Sequence, residues 1–299
     1  MIEATNLTKR FASNFALKDM NCRIPKGCVY GLVGSNGAGK STFLRLVTGI
    51  YSPETGQITV DDKSVFDNPS IKQNLVLVPD DPFFLPQASA GRMAKLYTAV
   101  YDRFDSQRFL TMLSHLGLPL KSNLNTFSKG MRRQVAISLA LSCRPDYILF
   151  DETFDGLDPV VRNAMKTAIY EDVNDRGMTV VMSSHSLREL EDTCDQLALL
   201  HKGGIMFESD VQNLKTSLFK IQVAFNNDFG KEIFGDTEVI NFSKKGSVAM
   251  AIVRGDRNNV KATLYAQNPL LVEVLPLSLE EVFVHEMDAL GYAFGDILN

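Results

Sequence analysis

Eight consecutive residues, Gly34-Ser35-Asn36-Gly37-Ala38-Gly39-Lys40-Ser41, satisfy the pattern GxxxxGK[ST] in full. In such a loop the glycines let the backbone curl until successive N–H groups point at one anion, and the helix that follows adds its positive end. Lys40 then reaches the β- and γ-phosphate oxygens of a bound nucleotide. The Ser41 hydroxyl, with Thr42 next in line, faces Mg²⁺. Alone, the loop specifies a phosphate site common to many nucleotide-using proteins.

A second run, Tyr147-Ile148-Leu149-Phe150, ends in two adjacent carboxylates, Asp151 and Glu152. In phosphoryl transfer the first carboxylate of such a pair positions Mg²⁺, and the second can polarise the attacking water as a general base.

Both clusters need elements that hold them. Cys28–Val33 reads as a buried strand running into the glycine loop, and a helix is expected from about Lys40 to Thr48, with Gly49 placed to end it. Ile2–Leu7, Leu17–Ile24, Gln57–Val60, Leu75–Val78, Thr179–Met182 and Leu197–His201 read as further strands, and Pro159–Arg176 as a helix. Strands alternating with helices predict a parallel sheet with crossover helices, an α/β fold. Between Ser89 and Leu118 the alternation breaks. Met93, Leu96, Tyr97 and Val100, then Phe109, Leu110 and Leu113, recur at helical spacing and predict two inserted helices.

After Val211 the pattern changes to a small α+β domain. Its expected parts are strands Lys220–Phe225 and Leu271–Leu275, a hairpin around Lys244-Lys245-Gly246, a helix near Asn258–Ala266 and a last helix from Ser278. Ser278-Leu279-Glu280-Glu281 fits a capping box. The expected domains are residues 1–210, with a helical subdomain at about 82–145, and residues 211–299.

Bulk properties exclude several classes. With 299 residues, 45% hydrophobic and 22% charged, the chain can bury a core in roughly two domains. A net charge of -4 gives no global field for nucleic acid or anionic lipid. The four cysteines and four histidines are scattered, with no CxxC pair and no metal-ligand spacing. No apolar stretch approaches the roughly 18 residues that span a bilayer, so any membrane contact is expected to pass through a partner.

Six motifs in order make residues Ile2 to Ser209 resemble the nucleotide-binding subunit of ABC transporters. That resemblance implies a P-loop NTPase core of RecA type with an antiparallel β subdomain and an inserted helical one. Phe11 sits where the family places an aromatic that stacks on adenine. Phe127-Ser128-Lys129-Gly130-Met131 occupies the place of the family signature, usually LSGGQ, which contacts the γ-phosphate held by the opposite subunit. Gly156-Leu157-Asp158 resembles the D-loop, and Ser184-His185 the switch histidine that hydrogen-bonds the γ-phosphate. The resemblance implies Glu152, His185 and Lys40 as catalytic, Ser41, Asp80 and Asp151 around Mg²⁺, and Ser128, Lys129, Gly130 and Asp158 at the nucleotide.

Three sites depart from the family, the signature at both Lys129 and Met131, the latter in place of its glutamine. Asp80, in Val78-Pro79-Asp80-Asp81-Pro82, falls on the usual glutamine, where it is expected to keep the metal role and slow basal turnover; Gln87 lies too late to replace it. Lys129 replaces a signature glycine, and either adds charge to the nucleotide across the dimer or points into solvent. Thr153-Phe154 stands where Pro-Thr is usual.

The resemblance implies an ATPase that uses ATP and Mg²⁺ and closes two subunits, identical or paralogous, over the nucleotide. It would work with a membrane-spanning permease on the cytoplasmic face of the membrane, with no nucleic acid expected. The tail Leu277-Ser278-Leu279-Glu280-Glu281-Val282-Phe283 is similar to that of ABC-2-type exporters of the bacitracin-resistance, YtrB-like and amphipathic-toxin efflux group. In such exporters Phe83, Phe84, Leu85 and Tyr97 are candidate contacts for the permease. An importer ATPase shares the same chemistry. A soluble ABC ATPase acting on ribosomes or nucleic acid usually carries two cassettes or a long coiled coil.

Overall fold

The computed structural model describes residues 1–275 and 277–289; positions 276 and 290–299 of the expected second domain, and the Phe283 side chain, lie outside the described residues. The chain divides into two compact units after Glu208.

The first unit runs β1 (Ile2–Phe11), β2 (Asn14–Ile24), β3 (Val29–Val33), α1 (Lys40–Val47), β4 (Thr55–Val60), β5 (Lys63–Ser64), α2 (Pro69–Lys72) and β6 (Leu75–Val78). The helical insertion follows as α3 (Ala90–Val100), α4 (Ser106–His115) and α5 (Lys129–Ser142). Then come β7 (Tyr147–Asp151), α6 (Pro159–Arg176), β8 (Thr179–Ser184), α7 (Leu187–Glu191), β9 (Gln196–His201) and β10 (Gly204–Asp210). β2-β1-β4-β5 form an antiparallel sheet, and a second sheet is ordered β10-β9-β3-β8-β7-β6. β3, β7 and β8 are buried at every residue, as expected for parallel strands covered on both faces. Tyr30, Leu32, Leu149 and Val181 of this sheet share one core with Phe43 and Leu44 of α1 and with Ile2, Leu17 and Val60 of the antiparallel sheet.

The second unit contains α8 (Val211–Ser217), β11 (Leu218–Ala224), β12 (Glu238–Lys245), β13 (Val248–Arg254), α9 (Arg257–Tyr265), β14 (Leu271–Leu275) and α10 (Leu279–Ala289), its sheet ordered β12-β13-β11-β14. The capping box forms. The Ser278 N–H donates to Glu281 Oε2 at 3.0 Å, and the Glu281 N–H donates to Ser278 Oγ at 3.3 Å.

The two helices expected between Ser89 and Leu118 are α3 and α4; Met93, Phe109 and Leu113 are buried, whereas Leu96, Val100 and Leu110 are exposed. Ser128 caps α5 by accepting from the Met131 N–H at 3.2 Å. β10 has no sequence signal, since it is an edge strand with half-exposed residues and no alternation.

A buried carboxylate ties the insertion to the core. Asp172 of α6 accepts from Arg108 Nη1 of α4 at 2.8 Å and from Arg176 Nε at 3.0 Å. Burial would raise its pKa, but the two guanidinium hydrogen bonds outweigh burial and hold the carboxyl below its ordinary range. Asp172→Ala strands two arginines in a largely dry site, with an expected loss of about 3 kcal/mol. A denaturant midpoint within error of wild type would show that the bridge contributes nothing.

Candidate nucleotide site

Three parallel strands bring the chemistry to one edge. β3 pairs with β8 so that Val33 lies opposite Ser184, and β8 pairs with β7 so that Ser183 lies opposite Asp151. The glycine loop, Asp151-Glu152 and Ser184-His185 therefore all leave the sheet at its carboxyl end, where open α/β sheets bind ligands.

The turn from β3 into α1 tolerates no side chain at two points. Gly39 caps α1 at φ 114°, and a Cβ there would lie 2.5 Å from the Ala16 carbonyl oxygen. A Cβ on Gly34 would lie 2.4 Å from the Leu200 carbonyl oxygen. The loop consequently opens a cavity of about 580 Å³, walled by Asn36, Gly37, Gly39, Lys40, Ser41 and Thr42 on one side and by Asp80, Asp151 and Glu152 on the other. Ala38 is buried behind it, with its N–H donating to the Ser35 carbonyl at 3.1 Å.

Lys40 is 4% exposed. Its Nζ donates to Gly34 O at 2.6 Å and Ser35 O at 3.1 Å, and lies 3.1 Å from Glu152 Oε1. The ammonium is thus held on the loop axis, and an anion entering the cavity competes with Glu152 for it. Asp151 Oδ1 accepts from Ser41 Oγ at 3.0 Å and Ser183 Oγ at 2.8 Å. A hydroxyl and a carboxylate at hydrogen-bond distance beside a phosphate loop are the hard oxygen donors that Mg²⁺ takes, so this pair fits that ion.

Glu152 carries backbone strain: its φ is 48°, a region non-glycine residues rarely occupy. The position is held because the Glu152 N–H donates to both Ser183 O and Ser183 Oγ, each at 3.1 Å. His185 is half exposed, with Nδ1 3.6 Å from Glu152 Oε2 and 3.1 Å from Asp155 Oδ2.

A family model described as "ABC transporter" matches residues 17–155. The ABC transporter ATP-binding protein YtrB of Bacillus subtilis is 28% identical over 95% of this chain and 97% of its own length. The lantibiotic transport ATP-binding protein SrtF of Streptococcus pyogenes is 30% identical over 75% of this chain and 98% of its own. The chain belongs to the ABC transporter ATP-binding family. A solved ATP-binding subunit of an ABC transporter superposes with a TM-score of 0.67 at 25% identity, covering 72% of this chain and 92% of that one. The protein is therefore an ABC-type ATPase subunit of a transporter, as its motifs imply. No helix among the described residues is long and apolar enough to cross a membrane.

Within this ABC ATPase the motif residues take different places. Ser128 and Lys129 are exposed and Gly130 half-buried at the start of α5, and none of them lines the cavity. Asp158 caps α6, accepting from the Val160 N–H at 2.9 Å. Phe11 is half exposed with its ring edge-on to Tyr51 at 5.3 Å, beside the cavity rather than in its wall. Thr153, at the usual proline position, is buried and donates its hydroxyl to Val78 O at 2.8 Å, fastening the catalytic loop to β6.

Lys129 is exposed, and its Nζ lies 3.3 Å from Asp80 Oδ1 of its own chain, a contact neither reading of this residue anticipated. Asp80 lines the cavity, and its Oδ1 also accepts from Arg133 Nη2, so two cations engage this carboxylate. Gln87 is exposed, as its late position suggests.

Ser183, Asp155, Glu189 and Arg133 escaped the sequence reading. Ser183 precedes a recognised motif, so a polar residue inside an apolar strand was the available signal. The others become neighbours only through folding. Ser184 Oγ donates to Asp155 Oδ1 at 3.4 Å and to Glu189 Oε2 at 3.3 Å, so the two carboxyls share one small site with Glu152 and His185 at its rim. Burial, then the Glu189 carboxyl and the Glu152 charge, push Asp155 up to about 8.

This raised value fixes the sign of a pH effect. Native Asp155 keeps its proton until about pH 8, whereas the unfolded chain releases it near pH 4. Stability contributed by the neutral carboxyl is full below about pH 4 and is lost as pH rises through about 8. Asp155→Asn should thus flatten the fall in thermal midpoint between about pH 6 and about pH 9. Parallel curves for the two proteins would remove Asp155 as the titrating group.

Proposed function

We propose that this ATPase subunit energises an exporter by closing in pairs over ATP. The observation that carries this reading is the position of the signature. Ser128, Lys129 and Gly130 stand at the start of α5, outside the cavity that holds Lys40, Asp151 and Glu152. Val160, beside the Asp158 cap, is 77% exposed. One chain thus presents half a site inward and a complementary half outward, and a head-to-tail pair brings the two together.

Within such a pair Lys40 and the loop N–H groups hold the triphosphate, and Ser41 with Asp151 would hold Mg²⁺, which supplies charge neutralisation at the phosphates. Glu152 takes a proton from water as its oxygen bonds the γ-phosphorus and the bond from phosphorus to the ADP oxygen breaks. Strain at Glu152 aims that carboxylate into the cavity. Nδ1 of His185 faces Asp155, leaving Nε2 for a phosphate oxygen.

The likeness to the ABC transporter ATP-binding protein YtrB along both units supports a transporter role, and the bacitracin- and lantibiotic-transport relatives support export. The permease contact would use Phe83, 81% exposed, and Leu85, also exposed, in the loop between β6 and α3. Phe84 is buried, and Tyr97 is half-buried, stacked on Tyr101 at 5.6 Å, so both serve packing instead. The subunit would then work at the cytoplasmic face of the membrane, touching it only through the permease.

Glu152→Gln should keep ATP binding, lose at least about 100-fold in turnover and accumulate ATP-bound dimers. Dimers are read by analytical ultracentrifugation with and without ATP, and wild-type turnover in this variant would remove Glu152 as the base. Phe83→Ser with Leu85→Ser should leave the ATPase of the isolated subunit unchanged but abolish co-purification with the permease. Retained co-purification would remove this loop as the contact.

A further inference from the structure

The Asp80 carboxylate belongs to a network that ties three loops together. Arg133, 5% exposed, donates Nε to Asp80 O at 2.9 Å, Nη2 to Asp80 Oδ1 and Nη1 to Asp155 O. One guanidinium thereby joins the loop after β6, the loop after β7 and the helix that Ser128 begins. Lys129, Arg132 and Arg133 lie at i, i+3 and i+4, on one face of α5. Lys129 reaches Asp80 at 3.3 Å, and Arg132 reaches Asp81 at 3.6 Å. Two consecutive carboxylates therefore meet three consecutive cations of that face.

A buried guanidinium needs an anion; carbonyl oxygens satisfy its hydrogen bonds but leave its charge uncompensated. Were Asp80 to swing to a metal, Arg133 would keep two carbonyls and lose its counter-charge. An amide at this position would accept one hydrogen bond and compensate nothing. The acid at position 80 therefore matches the arginine at position 133.

We propose that Asp80 is a positioning residue. It locks the Ser128 end of α5 to the loop carrying Glu152 through Asp158, so that the outward-facing signature and D-loop move as one body when the pair closes. The inference rests on the two-subunit site proposed above. It assigns the departure at position 80 to assembly of the site, and leaves the metal to Ser41 and Asp151.

The test uses the full chain in the Glu152→Gln background, adding Asp80→Asn, Asp80→Glu or Asp151→Asn. Asp80→Asn should raise the ATP concentration that gives half-maximal dimer by about tenfold, and Asp80→Glu should recover most of that loss. The Mg²⁺ concentration for half-maximal nucleotide binding should stay within about twofold of the parent in Asp80→Asn and rise more than about tenfold in Asp151→Asn. A tenfold rise in the Mg²⁺ requirement for Asp80→Asn, with dimerisation restored at saturating Mg²⁺, overturns the proposal.

Amide hydrogen exchange on the single chain separates this inference from the paired-site reading. Asp80→Asn should speed exchange in Ser128–Arg133 and Asp155–Asp158, with exchange in β3 and β8 kept. Failure of the Glu152→Gln parent to pair sinks the two-subunit reading. Faster exchange confined to Asp80 and Asp81 sinks the positioning role of Asp80, whether or not the parent pairs.

Discussion

Parallel pairing among β3, β8 and β7 governs the position of every reacting group in this ATPase. The register sets Val33 opposite Ser184 and Asp151 opposite Ser183, so the glycine loop and the paired carboxylates leave the sheet at the same end. Ser183 stands in the middle of that edge. Its hydroxyl binds Asp151 Oδ1, and its carbonyl and hydroxyl both accept from Glu152. A one-residue slip of β8 would turn the Ser183 side chain to the other face and away from Asp151 and Glu152, because alternate residues face opposite sides of a sheet.

Around this rigid edge the charges are arranged in opposed sets. Lys40 is compensated by Glu152, and Arg133 by Asp80, both carboxylates standing in the cavity wall. Between the two lies the Glu152–Asp158 loop, held by the Thr153 hydroxyl on β6 and by Arg133 on Asp155 O. The Asp155–Glu189 pair concentrates carboxyl groups next to His185, and keeping one proton there relieves like-charge repulsion. Strain and buried charge thus gather where the nucleotide and the second subunit are expected to act, and the apolar sheet behind supplies the stability to hold them.

Much of the fold was legible because its signals are local. Continuous apolar runs marked β3, β6 and β7, glycines marked the phosphate loop, and Ser278 with Glu281 marked the cap of α10. The site was legible where spacing along the chain carries the chemistry, as in Gly34–Ser41 and Asp151–Glu152. Position 80 shows the opposite case. Its match to a glutamine pointed to the metal, and sequence order says nothing about the guanidinium 53 residues away that its Oδ1 also meets.

The sequence alone determined the family, the phosphate loop, the paired carboxylates and the division into a cassette and an α+β appendage, since each is written in contiguous residues or in their period. Tertiary structure alone decided which carboxylate serves which donor. Long side chains from distant elements compete for the same anion, and only burial and distance settle that Lys129 and Arg133 take Asp80, Ser41 and Ser183 take Asp151, and Lys40 takes Glu152.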